Sequence, residues 1–270
     1  MLECVVNVSE GRRPDVIATI ASAAGHNLLD LHVDADHNRA VLTLAGGDDC
    51  EDAVRSVTRH AVAAIDLNNH AGAHPRLGAV DVVPFIPLGT TPLEGAMAAR
   101  DRFVAWAAAE LELPVFVYGP ERPLPEVRRR AFVDLMPDAG PSARHPSAGA
   151  VCVGARGVLV AYNLWLAPGL DTEVARAVAA AVRGPAVRAL GLDVGGRAQV
   201  SMNLVDPLTV GPAQVYDAVS SRVAVDRAEL VGLAPAAVVD AVVAQRWAEL
   251  DIDPSRTIEF RLAERVIGDR

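Results

Sequence analysis

The sequence predicts a mixed α/β protein built as two related halves. Three observations carry that prediction. Apolar runs of strand length alternate with stretches of helical periodicity along the 270 residues. The first half reads strand, helix, strand, strand, helix, strand. A short apolar strand with an asparagine at its middle occurs twice, as Cys4-Val5-Val6-Asn7-Val8 and as Val200-Ser201-Met202-Asn203-Leu204.

Residues 3–9 read as the first strand, closed by a turn at Glu10-Gly11. Residues 14–24 read as a helix, because Pro14 suits a first helical turn and Val16, Ile17 and Ile20 share one face. Strands follow at 28–34 and 40–45, separated by the polar turn Asp36-His37-Asn38-Arg39. Asp48 or Asp49 is placed to cap the next helix, in which Val54, Val57, Ala61 and Ile65 recur at helical spacing. Residues 80–88 form a fourth strand. This order is the ferredoxin-like arrangement, with two helices on one face of an antiparallel sheet.

Thr91-Pro92-Leu93-Glu94 has the pattern of a capping box and opens a helix to about Leu111 that buries Phe103 and Trp106. A short strand is expected at 115–118, then an ordered loop over 119–150 with a short helix around Glu126. The second half reads as strands at 158–166, 188–192, 198–205 and 229–233, with helices at 171–182, 211–222 and 235–250. Asparagines buried in strands need hydrogen-bond partners from protein or ligand. The repeated strand suggests two α/β subdomains, 1–157 and 158–270, with ligand between them.

Composition narrows the function. A net charge of -9 argues against nonspecific binding to nucleic acid or anionic membrane. All 25 basic residues counted as Lys+Arg are arginine, which removes Schiff-base lysine chemistry and the P-loop. Cys4, Cys50 and Cys152 have no metal-ligand spacing; Cys4 and Cys152 sit in apolar runs and read as buried thiols in a reducing cytoplasm. The N-terminus lacks the pattern of a signal peptide, and no apolar run approaches the ~18 residues of a membrane span.

The densest chemistry lies at Ala71-Gly72-Ala73-His74-Pro75-Arg76-Leu77-Gly78. Pro75 disfavours the helical region for His74, so the imidazole is expected in an irregular turn before a buried strand. A turn histidine bonded to a carbonyl is the plain alternative. His70 and His74 have the i, i+4 spacing of helical metal ligands, but no glutamate intervenes and Pro75 opposes a helix, so no metal is expected. Asp34, Asp36, His37, Asn38 and Arg39 form a second polar group, either a solvated turn or a seat for a cation or amine.

Several segments together resemble the glutamate formimidoyltransferases over nearly the whole chain. They are Glu3-Cys4-Val5-Val6-Asn7-Val8-Ser9-Glu10-Gly11, Asp34-Ala35-Asp36-His37-Asn38-Arg39 and His70-Ala71-Gly72-Ala73-His74-Pro75-Arg76-Leu77-Gly78-Ala79. Val83-Pro84-Phe85-Ile86-Pro87, Pro137-Asp138-Ala139-Gly140-Pro141-Ser142, Gly154-Ala155-Arg156, Gln199-Val200-Ser201-Met202-Asn203-Leu204 and Glu229-Leu230-Val231-Gly232-Leu233 extend the match. The resemblance implies a homodimer with a folate-binding crevice between two subdomains. The implied reaction moves a formimino group from N-formimino-L-glutamate to N5 of tetrahydrofolate, the co-substrate, in histidine degradation.

The resemblance puts the catalytic histidine at His74 and a folate-contacting loop at 140–149, including Gly140, Pro141, Ser142, Ala143, Arg144 and Gly149. One imidazole titrating near neutrality can take the proton from N5 and return one to the leaving amine. Arg39, Arg76, Arg144 and Arg156 are candidates to hold substrate carboxylates. Asn7, Asn38 and Asn203 are expected at the pterin edge or amidine, Asp36 at the amidinium or behind His74, and Glu10 among the substrate-binding residues. Ala73 stands where the family often has glutamate, Val6 where it has proline, and the stretch from Tyr118 to Pro137 is short. No cyclodeaminase domain is expected after Arg270. These departures would fit a related folate-dependent formyl or formimino transferase with another donor or acceptor. A non-catalytic folate binder would not need His74, Arg76 and the Gly140 loop together.

Overall fold

The computed structural model describes residues 1–73 and 76–268, with side chains to Arg265. The chain divides into two compact units, Met1–Gly157 and Val158–Arg270.

The first unit runs β1 (Leu2–Val8), α1 (Pro14–Ser22), β2 (Leu28–Asp34), β3 (Arg39–Gly46), α2 (Cys50–Ala64) and β4 (Val80–Pro87). It continues with α3 (Leu93–Glu110), β5 (Val115–Tyr118), α4 (Leu124–Arg130) and β6 (Val151–Ala155). The sheet order is β2-β3-β1-β4-β6-β5. β1 is antiparallel to β3 and β4, and β6 is parallel to both β4 and β5. The first four strands therefore have the ferredoxin-like order, and two parallel strands extend the sheet. Alternation puts Cys4, Val6 and Val8 of β1 in the same core as Ile17 and Ile20 of α1 and Val54, Val57 and Ala61 of α2. A smaller core on Phe116, Tyr118 and Cys152 is closed by Val127 of α4.

The second unit runs β7 (Val160–Leu166), α5 (Thr172–Val182), β8 (Val187–Val194), β9 (Arg197–Leu204), α6 (Pro212–Ser220) and β10 (Val225–Val231). Its sheet order, β10-β7-β9-β8, repeats that of the first four strands, and every pairing is antiparallel. Two further helices, α7 (Ala236–Asp240) and α8 (Ile258–Gly268), complete the unit. Both units are α/β, as the alternation of periods predicts.

Several local expectations are corrected. Thr91 forms no capping box: its hydroxyl accepts from the Met1 ammonium at 2.8 Å, and Pro92 is the N-cap of α3 without a side-chain bond. Asp49 is the N-cap of α2, but its carboxylate bonds His26 and Asn27 rather than the helix amides. The helix expected over 235–250 stops at Asp240. Continuing its apolar face from Val238 and Val242 would present Arg246 and Glu249, which instead pair with each other, and Arg246 also holds Asp217. β6 falls on the apolar run of Cys152, whose bounds the sequence left open, and α8 is not anticipated. Asn203 is exposed, not buried, and half-buried Asn7 donates from its amide to the Val5 carbonyl at 3.1 Å.

Candidate active site

The candidate site is made by three segments of the first unit that meet beyond the end of β1. The β1–β4 register shifts between Asn7 and Val8, which turns the chain at Ser9. Ser9 is fully buried; its amide donates to the Ala79 carbonyl at 2.8 Å and its hydroxyl to the Gly78 carbonyl at 2.7 Å. Glu10 then closes the turn into α1 by accepting from the Arg12 and Arg13 amides at 2.8 and 3.0 Å. Burial alone would raise the Glu10 carboxyl, but these amides and the Arg13 guanidinium outweigh it and lower it. The carboxylate of Glu10 thus has local work at the start of α1.

The second segment is the β2–β3 turn. Asp34 Oδ1 accepts from the His37 amide at 2.7 Å, and Oδ2 meets His37 Nδ1 at 2.6 Å. Desolvation pushes the Asp34 carboxyl up, yet the bonds from His37 prevail and hold it at about 2. Asn38 takes a left-handed φ of 49°, a region asparagine tolerates better than most residues. Its Oδ1 accepts from the Gly11 amide at 2.9 Å, and its Nδ2 donates to the Ala71 carbonyl at 3.0 Å. The side chain expected to read the substrate therefore braces two neighbouring segments. Asp36 is exposed, and its carbonyl accepts from the Ala73 amide at 3.4 Å.

The third segment is the strap from His70 to Gly78. His74 and Pro75, the centre of the sequence motif, lie outside the described residues. The strap on either side of them is tied down. His70 Nε2 lies 3.0 Å from the Asn38 carbonyl. At Gly72 a Cβ would sit 2.3 Å from the His37 carbonyl oxygen, so only glycine lets the strap approach this closely. Arg76 donates to that same carbonyl and reaches the Ser9 hydroxyl at 3.5 Å. Burial draws the Arg76 guanidinium down to about 10, partly offset by Asp81, so it stays charged near neutrality. Buried Asp81 accepts from the Leu77 amide at 2.7 Å and pairs with Arg128. Neither Ser9 nor the Asp81–Arg128 pair was expected; an acid within the apolar run after residue 80 was the available signal, since a buried carboxylate needs a partner.

The 140–149 loop reaches the strap at its far end. Gly149 bridges Gly78, and the Ala79 amide donates to the Ala148 carbonyl at 2.9 Å. Gly140, Pro141, Ser142, Ala143 and Arg144 are exposed, and the Arg144 guanidinium stacks over Phe132 at 4.4 Å. Arg156 NH1 donates to the Gly157 carbonyl at 2.9 Å. Asn203 lies on β9 of the second unit. Among the described residues, no group of three or more His, Cys, Asp or Glu could hold a metal ion. The three cysteines are free and buried, and burial pushes the Cys152 thiol up to about 12.

Two βαββαβ units, the first gathering imidazole, guanidinium and carboxylate groups around one strap, make this an α/β enzyme by class. Comparison with known proteins gives the kind. Residues 1–156 match the formiminotransferase domain, N-terminal subdomain. The chain is 35% identical to a glutamate formimidoyltransferase of Streptococcus pyogenes, over 87% of this chain and 89% of that protein. A glutamate formimidoyltransferase of Thermoplasma acidophilum is 32% identical over 87% and 88%. A formimidoyltransferase-cyclodeaminase of Rattus norvegicus is 34% identical, but the match spans only 50% of its length. The chain belongs to the formiminotransferase family and is a transferase.

Proposed function

We propose that this transferase moves a formimino group from N-formimino-L-glutamate to N5 of tetrahydrofolate, with His74 as the proton carrier, in histidine degradation. The observation that carries the reading is the strap around His74. It is docked on the Asp34–His37 turn through Asn38, Gly72 and Arg76, so a charged guanidinium and a carboxylate–imidazole pair flank the segment bearing the histidine. N5 attacks the formimino carbon and loses its proton to His74; the bond to the glutamate nitrogen breaks as that nitrogen receives a proton from His74. The products are 5-formiminotetrahydrofolate and glutamate, and the imidazole ends as it began.

Arg39, Arg76, Arg144 and Arg156 supply candidate contacts for the carboxylates of both substrates. Asn7, Asp36 and Asn203 remain our candidates for the amidine and the pterin edge, and Gly140 to Ala143 with Gly149 for the folate. We place the enzyme in the cytoplasm, where three free buried thiols stay reduced, and as a homodimer, which sedimentation of the purified protein tests.

Steady-state turnover of tetrahydrofolate and formiminoglutamate, beside His74→Ala, decides the reaction. The expected result is turnover that falls by ~10² or more in the variant. A second reading, transfer from another donor or to another acceptor amine, is favoured by Ala73, which stands directly before His74 in the chain where the family often has glutamate. Folate binding by calorimetry without turnover would establish that reading instead. Absence of both overturns both.

A further inference from the structure

The strap has one firm end. Upstream of it, the 3₁₀ turn Leu67–Asn69 is fixed by Asp66, which accepts from the Asn68 amide and from the side chains of Asn68 and Asn69 at 3.0, 2.8 and 3.0 Å. Leu67 also donates to the Ser147 carbonyl at 2.8 Å, and Asn68 Nδ2 to the Pro146 carbonyl at 2.9 Å. His70 caps that turn through its own amide, at 3.2 Å from the Leu67 carbonyl. From there to residue 73 the strap is tied by the Asn38 side-chain amide, which donates to the Ala71 carbonyl at 3.0 Å, and by the long Ala73–Asp36 contact at 3.4 Å.

We propose that His70 is a positioning residue for the transfer: its ring, bonded through Nε2 to the Asn38 carbonyl, pins the start of the strap to the 34–39 turn and so sets where His74 is delivered. The inference rests on the proposed function for its kinetic meaning. A carbonyl can only accept, so Nε2 carries the proton and Nδ1 is left as an acceptor in the neutral ring. Burial lowers the proton affinity of His70; the Asn38 carbonyl and Glu10 oppose this, while Arg76 and Arg12 add to it. These shifts favour the neutral ring, which adds no charge beside Arg76. Asn38 is the right anchor, because its Oδ1 is already fixed on Gly11 and its backbone is held in the left-handed region.

The experiment compares His70→Ala and His70→Gln by kinetics and by hydrogen exchange at the Ala73 amide, which the strap presents to the Asp36 carbonyl. Glutamine places an amide donor near the position of Nε2, so it should restore the tie. His70→Ala is expected to lower kcat ~10-fold or more with KM little changed, since small displacements of a reacting group are costly. It should also speed Ala73 exchange by about the same factor, and leave the pH midpoint of kcat where it was. His70→Gln should return both readouts to within roughly threefold of wild type. Wild-type kcat and exchange in His70→Ala would overturn the proposal. So would a His70→Gln variant as slow as His70→Ala that has lost one limb of the pH profile, since the ring would then be carrying a proton. If the wild type does not turn over this substrate pair, the reaction assignment fails, and the exchange comparison alone decides the role of His70.

Discussion

Asn38 Oδ1 lies 2.9 Å from the Gly11 amide, so the turn after β1 and the β2–β3 turn are locked together by one side chain. The approach is close: a Cβ on Gly11 would sit 2.1 Å from the Asp34 carbonyl oxygen. Asn38 also donates to Ala71 and holds a φ of 49°. Asn38→Ala should therefore lose two hydrogen bonds, worth ~1 kcal/mol each, and add ~1–2 kcal/mol of left-handed backbone strain. Urea unfolding should show a loss of about 3–4 kcal/mol, with Asn38→Gly recovering the backbone share. Equal losses in the two variants would remove strain from the account.

The Asp34–His37 pair predicts a pH dependence. The Asp34 carboxyl is held at about 2 in the folded chain, below its ordinary unfolded value near 3.9. A depressed folded value stabilises above the unfolded one, so the contribution is complete above about pH 5 and disappears as pH falls towards 2. The side chain is 12% exposed, and the full contribution is on the order of 2 kcal/mol. The difference in unfolding free energy between wild type and Asp34→Asn, measured from pH 6 down to pH 3, should fall by about half at the acid end. A constant difference across that range would show that the hydrogen-bond geometry, rather than the charge, is what matters.

Gly72 is where the strap touches the His37 carbonyl. Gly72→Ala must lift the strap, because the new Cβ would sit 2.3 Å from a backbone oxygen. The segment is exposed and sits on no buried core, so stability should change by less than ~1 kcal/mol. Activity should fall by ~10², since His74 is carried on the same strap. Thermal melting beside steady-state kinetics separates the two effects; full activity in the folded variant would detach the strap from catalysis.

Arg144 stacks on Phe132 at 4.4 Å, and residues 140–144 of the loop are exposed. A guanidinium–carboxylate hydrogen bond is worth ~1.5–3 kcal/mol, so Arg144→Ala should raise KM for tetrahydrofolate by ~10-fold or more at nearly constant kcat. Phe132→Leu removes the stacking, worth ~0.5–1 kcal/mol, together with the edge contact to Phe116, and should raise KM about threefold. An unchanged KM in Arg144→Ala would remove the residue from the folate contacts.

Much of the architecture was legible in the sequence because local periodicity carried it. The strands at 28–34 and 115–118 and the short helix around Glu126 match β2, β5 and α4. What failed was interrupted or capped by distant groups. β6 follows directly on the loop, and its short run Val-Cys-Val-Gly-Ala gives too little periodicity to separate it from the next strand. Thr91 has the right spacing for a capping box, but the N-terminal ammonium takes its hydroxyl, and no local pattern announces that partner. In the candidate site, Arg39, Arg76 and Asn38 were marked by residue type, whereas Ser9 and His70 have their roles only through carbonyls tens of residues away, and Asp81 takes its charged partner from Arg128 on α4.

The sequence by itself determined the α/β class, the repeated strand–helix order and the histidine–proline–arginine strap, because these depend on spacing between near neighbours. Only the tertiary structure decided that Asn38 is a brace, that the Ser9 hydroxyl is buried against Gly78, and that the strap rests on the His37 carbonyl. Those roles follow from which buried polar groups find one another once β1, β3 and β4 are paired, and hydrogen bonds across such distances leave no periodicity in the chain.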